Sequence, residues 1–269
     1  MSTTIAVAGK GGTGKTLIAA LLIRLLARKG TVLAIDADPS MNLHMALGLD
    51  EPDTLGAIRE EISADGNSLP AGMTRHDYLA FRARQALMES VGLDLIAMGR
   101  PEGPGCYCAA NHILRQTLDR LTNAYDYVVI DNEAGMEHIS RRTTRDVHIL
   151  LLVSDPTLRG ITAAARAQEL LGELRARVET VRLVVNRVDG TLPPEIAQAI
   201  DKHGLQLAAT VPSDDDVRNL DTVGRPFVEL PAHSPVVKAV SELAERLGLL
   251  TPAEAAEAAA LSPRSGQGV

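Results

Sequence analysis

The sequence predicts a single α/β domain in which a mostly parallel β-sheet is covered by helices on both faces. Short apolar runs alternate with helix-like stretches along the 269 residues, and this alternation favours right-handed βαβ crossovers. Aromatic residues make up only 2% of the chain, so the core must consist of Leu, Ile, Val and Ala, as in a buried parallel sheet. A glycine-rich turn separates the first apolar run from the first helix-like stretch, where parallel sheets bind their ligands.

Each element is predicted from its apolar pattern and from the turn residues that bound it. The predicted strands are Thr3–Ala8, Thr31–Asp36, Leu93–Met98, Tyr127–Asp131, Val147–Val153, Val181–Asn186 and Leu207–Val211. The predicted helices are Leu17–Arg28, Asp77–Glu89, Asn111–Leu121, Thr157–Leu174, Pro193–His203, Val217–Val223 and Ser234–Leu247. Residues 251–269 begin as a short alanine-rich helix and end in a tail that we expect to be disordered.

The composition argues against several classes of protein. A formal net charge of −7 at pH 7 argues against non-specific binding to nucleic acid or to an anionic membrane. No apolar run is long enough to cross a bilayer, and no signal segment precedes the first strand. We therefore expect a cytoplasmic protein with no stable membrane insertion. With only two cysteines, a disulfide framework is excluded as well.

The glycine-rich turn has the pattern of a phosphate-binding loop. It runs Gly-Lys-Gly-Gly-Thr-Gly-Lys-Thr between a predicted strand and a predicted helix, which is the context that such a loop requires. Its glycines let backbone N–H groups turn towards a phosphate, and the helix directs its positive end to the same place. We expect Lys15 to contact the β- and γ-phosphates of a nucleotide and Thr16 to ligate Mg²⁺. The predicted nucleotide-binding residues of this segment are Gly9, Lys10, Gly11, Gly12, Thr13, Gly14, Lys15, Thr16 and Leu17.

Lys10 is an additional lysine that the general pattern of a phosphate loop does not require. Under one hypothesis it reaches across a dimer interface to the phosphates of a neighbouring chain, as an arginine finger does. Under the other it is a surface lysine of the loop. In the first case Lys10 is catalytic together with Lys15.

Three aspartates lie at the ends of two further predicted strands. Asp36 and Asp38 follow one another closely, and two such carboxylates are costly to place together unless a cation neutralises them. Mg²⁺ with its water shell is such a cation. We predict that Asp38 orients the attacking water and that Asp36 lies in the outer coordination sphere of Mg²⁺; alternatively, one of the two caps the next helix. Asp131 ends another apolar strand and is the expected second aspartate on the Mg²⁺ side.

Two later strands end in residues suited to a base pocket. Asn186 can pair its amide with a donor and an acceptor on an adenine edge, and Arg187 follows it directly. Pro212 and Asp214 follow the last predicted strand and are expected to form the other wall. Asn and Pro-Ser-Asp are also ordinary turn residues, so the order of these groups along the chain carries the prediction.

The order of these motifs resembles that of the deviant Walker ATPases, which include cell-division site selectors, the nitrogenase iron protein and ATPases that target tail-anchored proteins. The shared motifs are the phosphate loop with Lys10, Asp-Ala-Asp-Pro, Asp-Asn-Glu-Ala-Gly, Val-Asn-Arg and Val-Pro-Ser-Asp. The resemblance implies one ATPase domain over residues 1–250. It also implies that ATP or ADP is held with Mg²⁺ in a homodimer, where Lys10 acts on the partner's nucleotide.

Cys106 and Cys108 lie in a loop rich in glycine and proline, so both thiols can turn to one ligand. A soft divalent metal ion takes about four ligands, of which one chain supplies two thiolates. A two-fold axis through the loop adds two more from a partner and completes an inter-subunit site. Zn²⁺ takes such a site tetrahedrally and Ni²⁺ takes it square-planar. The alternative is a pair of incidental thiols near a tight turn.

The segments Arg-Pro-Glu-Gly-Pro-Gly-Cys-Tyr-Cys and Asp-Asn-Glu-Ala-Gly-Met-Glu-His resemble the nickel-insertion accessory ATPases of carbon monoxide dehydrogenase, the CooC-type maturation factors. The resemblance implies ATP-dependent dimerisation, a Cys-X-Cys site for Ni²⁺ or Zn²⁺, and delivery of nickel to carbon monoxide dehydrogenase as the client. Related accessory ATPases of acetyl-CoA synthase share the pattern. The alternatives from other classes are a partitioning-type switch ATPase, an iron–sulfur electron-transfer protein, and a ligase or kinase on the same fold.

Overall fold

The computed structural model describes residues 2–64, 72–99, 116, 118–133, 146–173 and 177–260. Within these ranges one eight-stranded sheet has the order β3-β4-β2-β5-β1-β6-β7-β8. The strands are β1 (Thr3–Ala8), β2 (Val32–Ala37), β3 (Met88–Ser90), β4 (Leu93–Ala97), β5 (Tyr127–Asn132), β6 (Asp146–Ser154), β7 (Arg177–Val188) and β8 (Leu207–Pro212). Neighbouring strands are parallel except for the antiparallel pair β3 and β4.

Helices cover both faces of this sheet. They are α1 (Lys15–Leu26), α2 (Leu43–Leu47), α3 (Leu55–Ala64), α4 (Arg75–Gln85), α5 (Leu158–Glu173), α6 (Pro194–Lys202), α7 (Asp215–Thr222), α8 (Pro235–Arg246) and α9 (Pro252–Ala260), with a 3₁₀ turn at Phe227–Glu229. One core cluster joins the sheet to α1 and α8, and the other joins it to α3, α4, α5 and α6. The predicted fold class, a single α/β domain with a mostly parallel sheet, is confirmed.

Helix α1 is buried on nearly all sides, because it packs against the sheet on one side and against α2 and α8 on others. Its position matters for function, since it begins at the end of the glycine-rich turn. Gly14 is the N-cap of α1, in the left-handed region at φ 92°, and no side chain caps the helix. The first N–H groups of α1 therefore remain available to an anion.

Several elements of the structure differ from the predictions. The helix predicted over Asp77–Glu89 ends at Gln85, because Met88–Ser90 pairs with β4 through a tight turn that contains Gly92 at φ 77°. The short helices α2 and α3 were not predicted as helices at all. Strand β7 begins at Arg177, earlier than its apolar run, because pairing with β6 extends it.

The C-terminal helix α9 is attached to the rest of the domain by specific bonds. The Ser241 hydroxyl donates to the carbonyl of Ala255 at 2.7 Å. The Lys29 ammonium donates to the carboxylate of Glu254 and to the carbonyl of Leu249, each at 3.1 Å. The expected helix after residue 250 is present, and the tail predicted over residues 261–269 lies outside the described residues.

Candidate functional site

The glycine-rich turn between β1 and α1 is organised around a single carbonyl group. The oxygen of Lys10 accepts hydrogen bonds from the Thr13 hydroxyl at 2.9 Å and from the Lys15 ammonium at 3.4 Å. Lys15 is buried, so its charge points into the loop. Gly9 has a φ of 150°, and a Cβ at this position would lie 2.1 Å from the carbonyl oxygen of Val153. Only glycine fits there, because the loop crosses the end of β6 in close contact.

Strand β7 also holds the loop, through the side chain of Asn186. The Asn186 side-chain amide donates to the carbonyl of Thr13 at 2.8 Å, and its oxygen accepts the N–H of Arg187 at 2.9 Å. Gly14 passes so close that a Cβ there would lie 2.2 Å from the Asn186 amide nitrogen. Asn186 thus stands where the sequence places it, but here its amide braces the phosphate loop. Pairing of this amide with an adenine edge stays a prediction.

Thr16 and Asp131 meet although 115 residues separate them. The Thr16 hydroxyl donates to Oδ2 of Asp131 at 2.6 Å. The pKa of Asp131 is raised to about 7, chiefly by burial and also by the neighbouring charge of Asp36, although the bond from Thr16 lowers it. Within the part of the chain that the structure describes, Oδ1 of Asp131 is buried and has no hydrogen-bond partner.

Asp36 and Asp38 lie at the carboxyl end of β2, beside the same loop. Oδ1 of Asp36 accepts the N–H of Asp38 at 3.1 Å, and Oδ2 accepts the N–H of Leu43, the first residue of α2, at 3.0 Å. This second bond is the helix-capping role that the sequence left open for Asp36. The pKa of Asp36 is raised to about 6, chiefly by burial, although these two backbone bonds lower it. Asp38 lines the cleft, and its Oδ1 accepts the N–H of Ser40 at 2.8 Å.

Thr16 and Asp38, to which Asp131 and Asp36 are hydrogen-bonded, border a cleft of about 770 Å³ at the carboxyl ends of the strands. The cleft is lined by Gly11, Gly12, Gly14, Lys15, Thr16, Leu17, Asp38, Ser40, Asn42, Glu133, Asn186, Arg187, Pro212, Ser213, Asp214, Val217, Arg218, Asp221, Phe227 and Val236. The predicted base-pocket residues therefore share one cleft with the phosphate loop. Its volume is within the range of small-molecule sites.

Asp214 has a structural partner as well as a place at the cleft. It is the N-cap of α7, where Oδ1 accepts the N–H of Asp216 at 2.9 Å. Its Oδ2 accepts the hydroxyl of Ser234, the N-cap of α8, at 2.6 Å. Both carboxylate oxygens thus fix two helix starts beside the cleft.

Sequence reasoning missed several lining residues, of which Glu133 and Phe227 are the most informative. Glu133 directly follows β5, so its place after Asp131 was a usable signal. Phe227 had only the weaker signal of being one of two phenylalanines in a chain without tryptophan. It reaches the cleft from a 3₁₀ turn that no periodic pattern indicates.

Three further predicted site residues are Lys10, Cys106 and Cys108. The side chain of Lys10 is exposed, while its carbonyl organises the loop. Cys106 and Cys108 lie outside the described residues. In the described ranges, no group of three or more His, Cys, Asp or Glu side chains has the arrangement of a metal site. None of the helices in those ranges is long and apolar enough to span a membrane.

Comparisons with known proteins agree with this geometry. The model of the CobQ/CobB/MinD/ParA nucleotide binding domain matches residues 4–227. An uncharacterized ATP-binding protein of Methanocaldococcus jannaschii is 42% identical over 250 residues, which cover 90% of this chain and 97% of that protein. The carbon monoxide dehydrogenase accessory protein CooC of Rhodospirillum rubrum is 30% identical over 259 residues, which cover 91% of this chain and 97% of that protein.

The fold has a solved counterpart. The septum site-determining protein MinD of Pyrococcus horikoshii, complexed with Mg-ADP, matches with a TM-score of 0.67 at 23% identity, over 94% of this chain and 99% of that chain. At this identity the match shows a shared fold. Together with the family match and the arrangement of the phosphate loop, it leads to one conclusion: the chain belongs to the CobQ/CobB/MinD/ParA nucleotide-binding family and is a P-loop ATPase of the MinD/ParA type.

Proposed function

We propose that this chain is an ATP-dependent maturation factor that dimerises on binding ATP, holds a metal ion between its two copies and promotes nickel insertion into carbon monoxide dehydrogenase. The similarity to the accessory protein of Rhodospirillum rubrum supports the choice of client, because it covers 91% of this chain. One observation carries the nucleotide chemistry. The phosphate loop, Thr16 and Asp38 line a single cleft, and Asp131 and Asp36 are hydrogen-bonded to Thr16 and Asp38.

The oxygen atoms of Thr16 and Asp131 fit Mg²⁺. Mg²⁺ prefers oxygen ligands and keeps several of its waters. Thr16 presents a hydroxyl, and within the described residues the buried Oδ1 of Asp131 lacks a hydrogen-bond partner. A buried carboxylate oxygen without a partner is costly unless a cation lies near it. Thr16 would hold Mg²⁺ directly, with Asp36, Asp38 and Asp131 acting directly or through water, and Mg²⁺ supplies positive charge to the phosphate oxygens when bound.

The chain's own residues account for the rest of the hydrolysis. Lys15 is held inside the loop by the carbonyl of Lys10, where it neutralises the β- and γ-phosphates. Asp38 orients a water whose oxygen bonds to the γ-phosphorus while the bond to the bridging oxygen of ADP breaks. The proton of that water leaves with the phosphate product. Lys10 is exposed, so we assign its side chain to the γ-phosphate of the partner chain.

The remaining part of the cleft takes the nucleoside. Asn186, Arg187, Pro212 and Asp214 line the same cleft, and we assign them to the base and the ribose. Asn186 also braces Thr13 in the phosphate loop. The side chain of Asn186 would therefore contact both the base and the loop that binds the phosphates.

The metal ion is the cargo of the proposed reaction. Cys106 and Cys108 supply two thiolates per chain, so two copies supply the four sulfur ligands that a soft divalent ion takes. A site shared in this way exists only when the dimer is closed. ATP and the metal then favour the same state, so each raises the affinity of the other. Hydrolysis and reopening release the ion to the client.

The test combines metal analysis with the mass of the protein in solution. The protein is incubated with Ni²⁺ alone or Zn²⁺ alone, with and without a non-hydrolysable ATP analogue. We expect a dimer with one bound ion in the presence of the analogue. The double variant Cys106→Ala/Cys108→Ala should still dimerise but lose the ion. Asp38→Ala is the matched control, because with ATP it should remain dimeric and retain the ion.

Client activation is measured separately, with nickel-free carbon monoxide dehydrogenase, Ni²⁺ and ATP. We expect activation by the wild type, and none by Asp38→Ala. Undiminished metal content in the double cysteine variant would refute the shared site. Nucleotide-dependent binding to DNA or to lipid vesicles, without metal binding, would instead indicate a partitioning-type switch ATPase.

A further inference from the structure

Arg24 makes a buried contact that the proposed catalytic chemistry does not use. It lies on α1, and its Nη1 donates to the carbonyl of Leu230 at 2.7 Å across 206 residues of sequence. The side chain of Arg24 is 8% exposed and Leu230 is fully buried. Burial lowers the pKa of Arg24 to about 10, so the guanidinium remains charged at neutral pH. A buried charge needs good partners, and the carbonyl of Leu230 is one of them.

Leu230 ends the 3₁₀ turn that carries Phe227. The N–H of Leu230 donates to the carbonyl of Phe227 at 3.1 Å, so the backbones of the two residues are tied to each other within the turn. Pro226, at the start of the turn, lies against the end of α2, where a Cβ on Gly48 would lie 2.9 Å from Pro226 Cγ. The turn is thus held between α1 and α2.

Phe227 lines the cleft together with a group of apolar residues. These are Leu17, Pro212, Val217 and Val236. In a chain with only two phenylalanines and no tryptophan, an aromatic ring at this position is a flat apolar surface suited to a nucleobase.

We propose that Arg24 is a positioning residue for nucleobase binding: through Leu230 it holds Phe227 against the base of the bound nucleotide. The proposal rests on the proposed function in one respect, that the ligand of the cleft is an adenine nucleotide. Helix α1 then serves both ends of the ligand. Its N-terminus meets the phosphates, and Arg24, more than two turns further along, fixes the wall at the base.

The experiment is a double-mutant cycle on ADP affinity, measured by titration calorimetry with Mg²⁺ present. Arg24→Met removes the donor but keeps most of the apolar side chain. We expect it to weaken ADP binding about ten-fold in the wild-type background and less than about two-fold in a Phe227→Ala background. Displacement of ADP by inorganic tripolyphosphate reports phosphate binding alone, and its affinity should change less than about two-fold in both variants.

Arg246→Met is the matched control. Arg246 also donates from Nη1 to a backbone carbonyl, that of Ala208 at 2.9 Å, but at the end of β8 away from the cleft. We expect this variant to bind ADP like the wild type. Arg24→Lys, which keeps a donor, should recover part of the lost affinity.

Several results would overturn the proposal. Equal losses from Arg24→Met with and without Phe227 would show that Arg24 does not act through the ring. An equal loss of tripolyphosphate affinity would show a general disturbance of the cleft. If Arg24→Met does not fold, the ADP affinity of Phe227→Ala is the test. An unchanged affinity in that variant would exclude a role of the ring and overturn the proposal. A wild-type protein that bound no ADP would overturn the proposed function itself.

Discussion

Replacing Asp131 by asparagine should stabilise the metal-free protein while abolishing its Mg²⁺-dependent hydrolysis. The pKa of Asp131 rises from 3.8 to about 7 on folding, chiefly through burial. A carboxyl group with a raised pKa holds its proton more tightly in the folded chain than in the unfolded chain. Stability therefore falls as pH rises above the unfolded value of 3.8, and the loss is complete above the folded value of about 7.

The size of this effect follows from the difference between the two pKa values. At about 1.4 kcal/mol per pH unit, the raised pKa of Asp131 destabilises the fold by roughly 4 kcal/mol at pH 8 and by less than half of that at pH 5. An asparagine avoids the charge, and its side-chain oxygen can still accept the hydroxyl of Thr16. The advantage of Asp131→Asn over the wild type should therefore grow between pH 5 and pH 8.

The assay is urea unfolding at both pH values with a chelator present, for the wild type, Asp131→Asn and the control Asp201→Asn. Asp201 is an exposed carboxylate on α6, so its substitution should leave the free energy of unfolding nearly unchanged. Saturating Mg²⁺ and ATP analogue should then make the wild type more stable than Asp131→Asn, because the charged carboxylate interacts more strongly with the cation than the neutral amide does. If Asp131→Asn raised the free energy of unfolding by the same amount at pH 5 and at pH 8, the electrostatic explanation would be refuted.

The remaining predictions concern the phosphate loop and the dimer. Gly14→Ala should weaken ADP binding at least about a hundred-fold, because φ is 92° and a Cβ would lie 2.2 Å from the Asn186 amide nitrogen. Gly172→Ala, on α5 with open space around the new Cβ, is the control for calorimetry and should bind normally. Lys10→Ala and Asp38→Ala should each be inactive as ATPases, yet their mixture should regain activity, because one heterodimer site then has both Asp38 and the partner's lysine. A mixture that stays inactive, although the heterodimer forms, would place Lys10 in its own chain's site. Thr16→Val should lower ATP hydrolysis at least about ten-fold through loss of a Mg²⁺ ligand, whereas Thr16→Ser should retain most of the activity.

The parts of the site that sequence reasoning found are those with a local signature. The phosphate loop needs glycines at fixed spacing because its backbone conformation demands them, as the φ of 92° at Gly14 shows. Asp38 and Asp131 follow apolar strands, and the carboxyl ends of parallel strands meet at one edge. The helix predicted through Glu89 was wrong at its end because a β-hairpin is decided by pairing with β4, which a helical pattern does not report.

Local pattern along the chain determined the fold class, the phosphate loop and the strand ends that carry carboxylates, since each depends on neighbours a few residues away. Only the folded chain decided which distant groups touch. Thr16 with Asp131, Asn186 with Thr13 and Arg24 with Leu230 are joined across 115, 173 and 206 residues. Such contacts arise when strands and helices pack together, so their partners come from the three-dimensional path of the backbone. That path brings the nucleotide-binding motif and distant side chains together around one cleft.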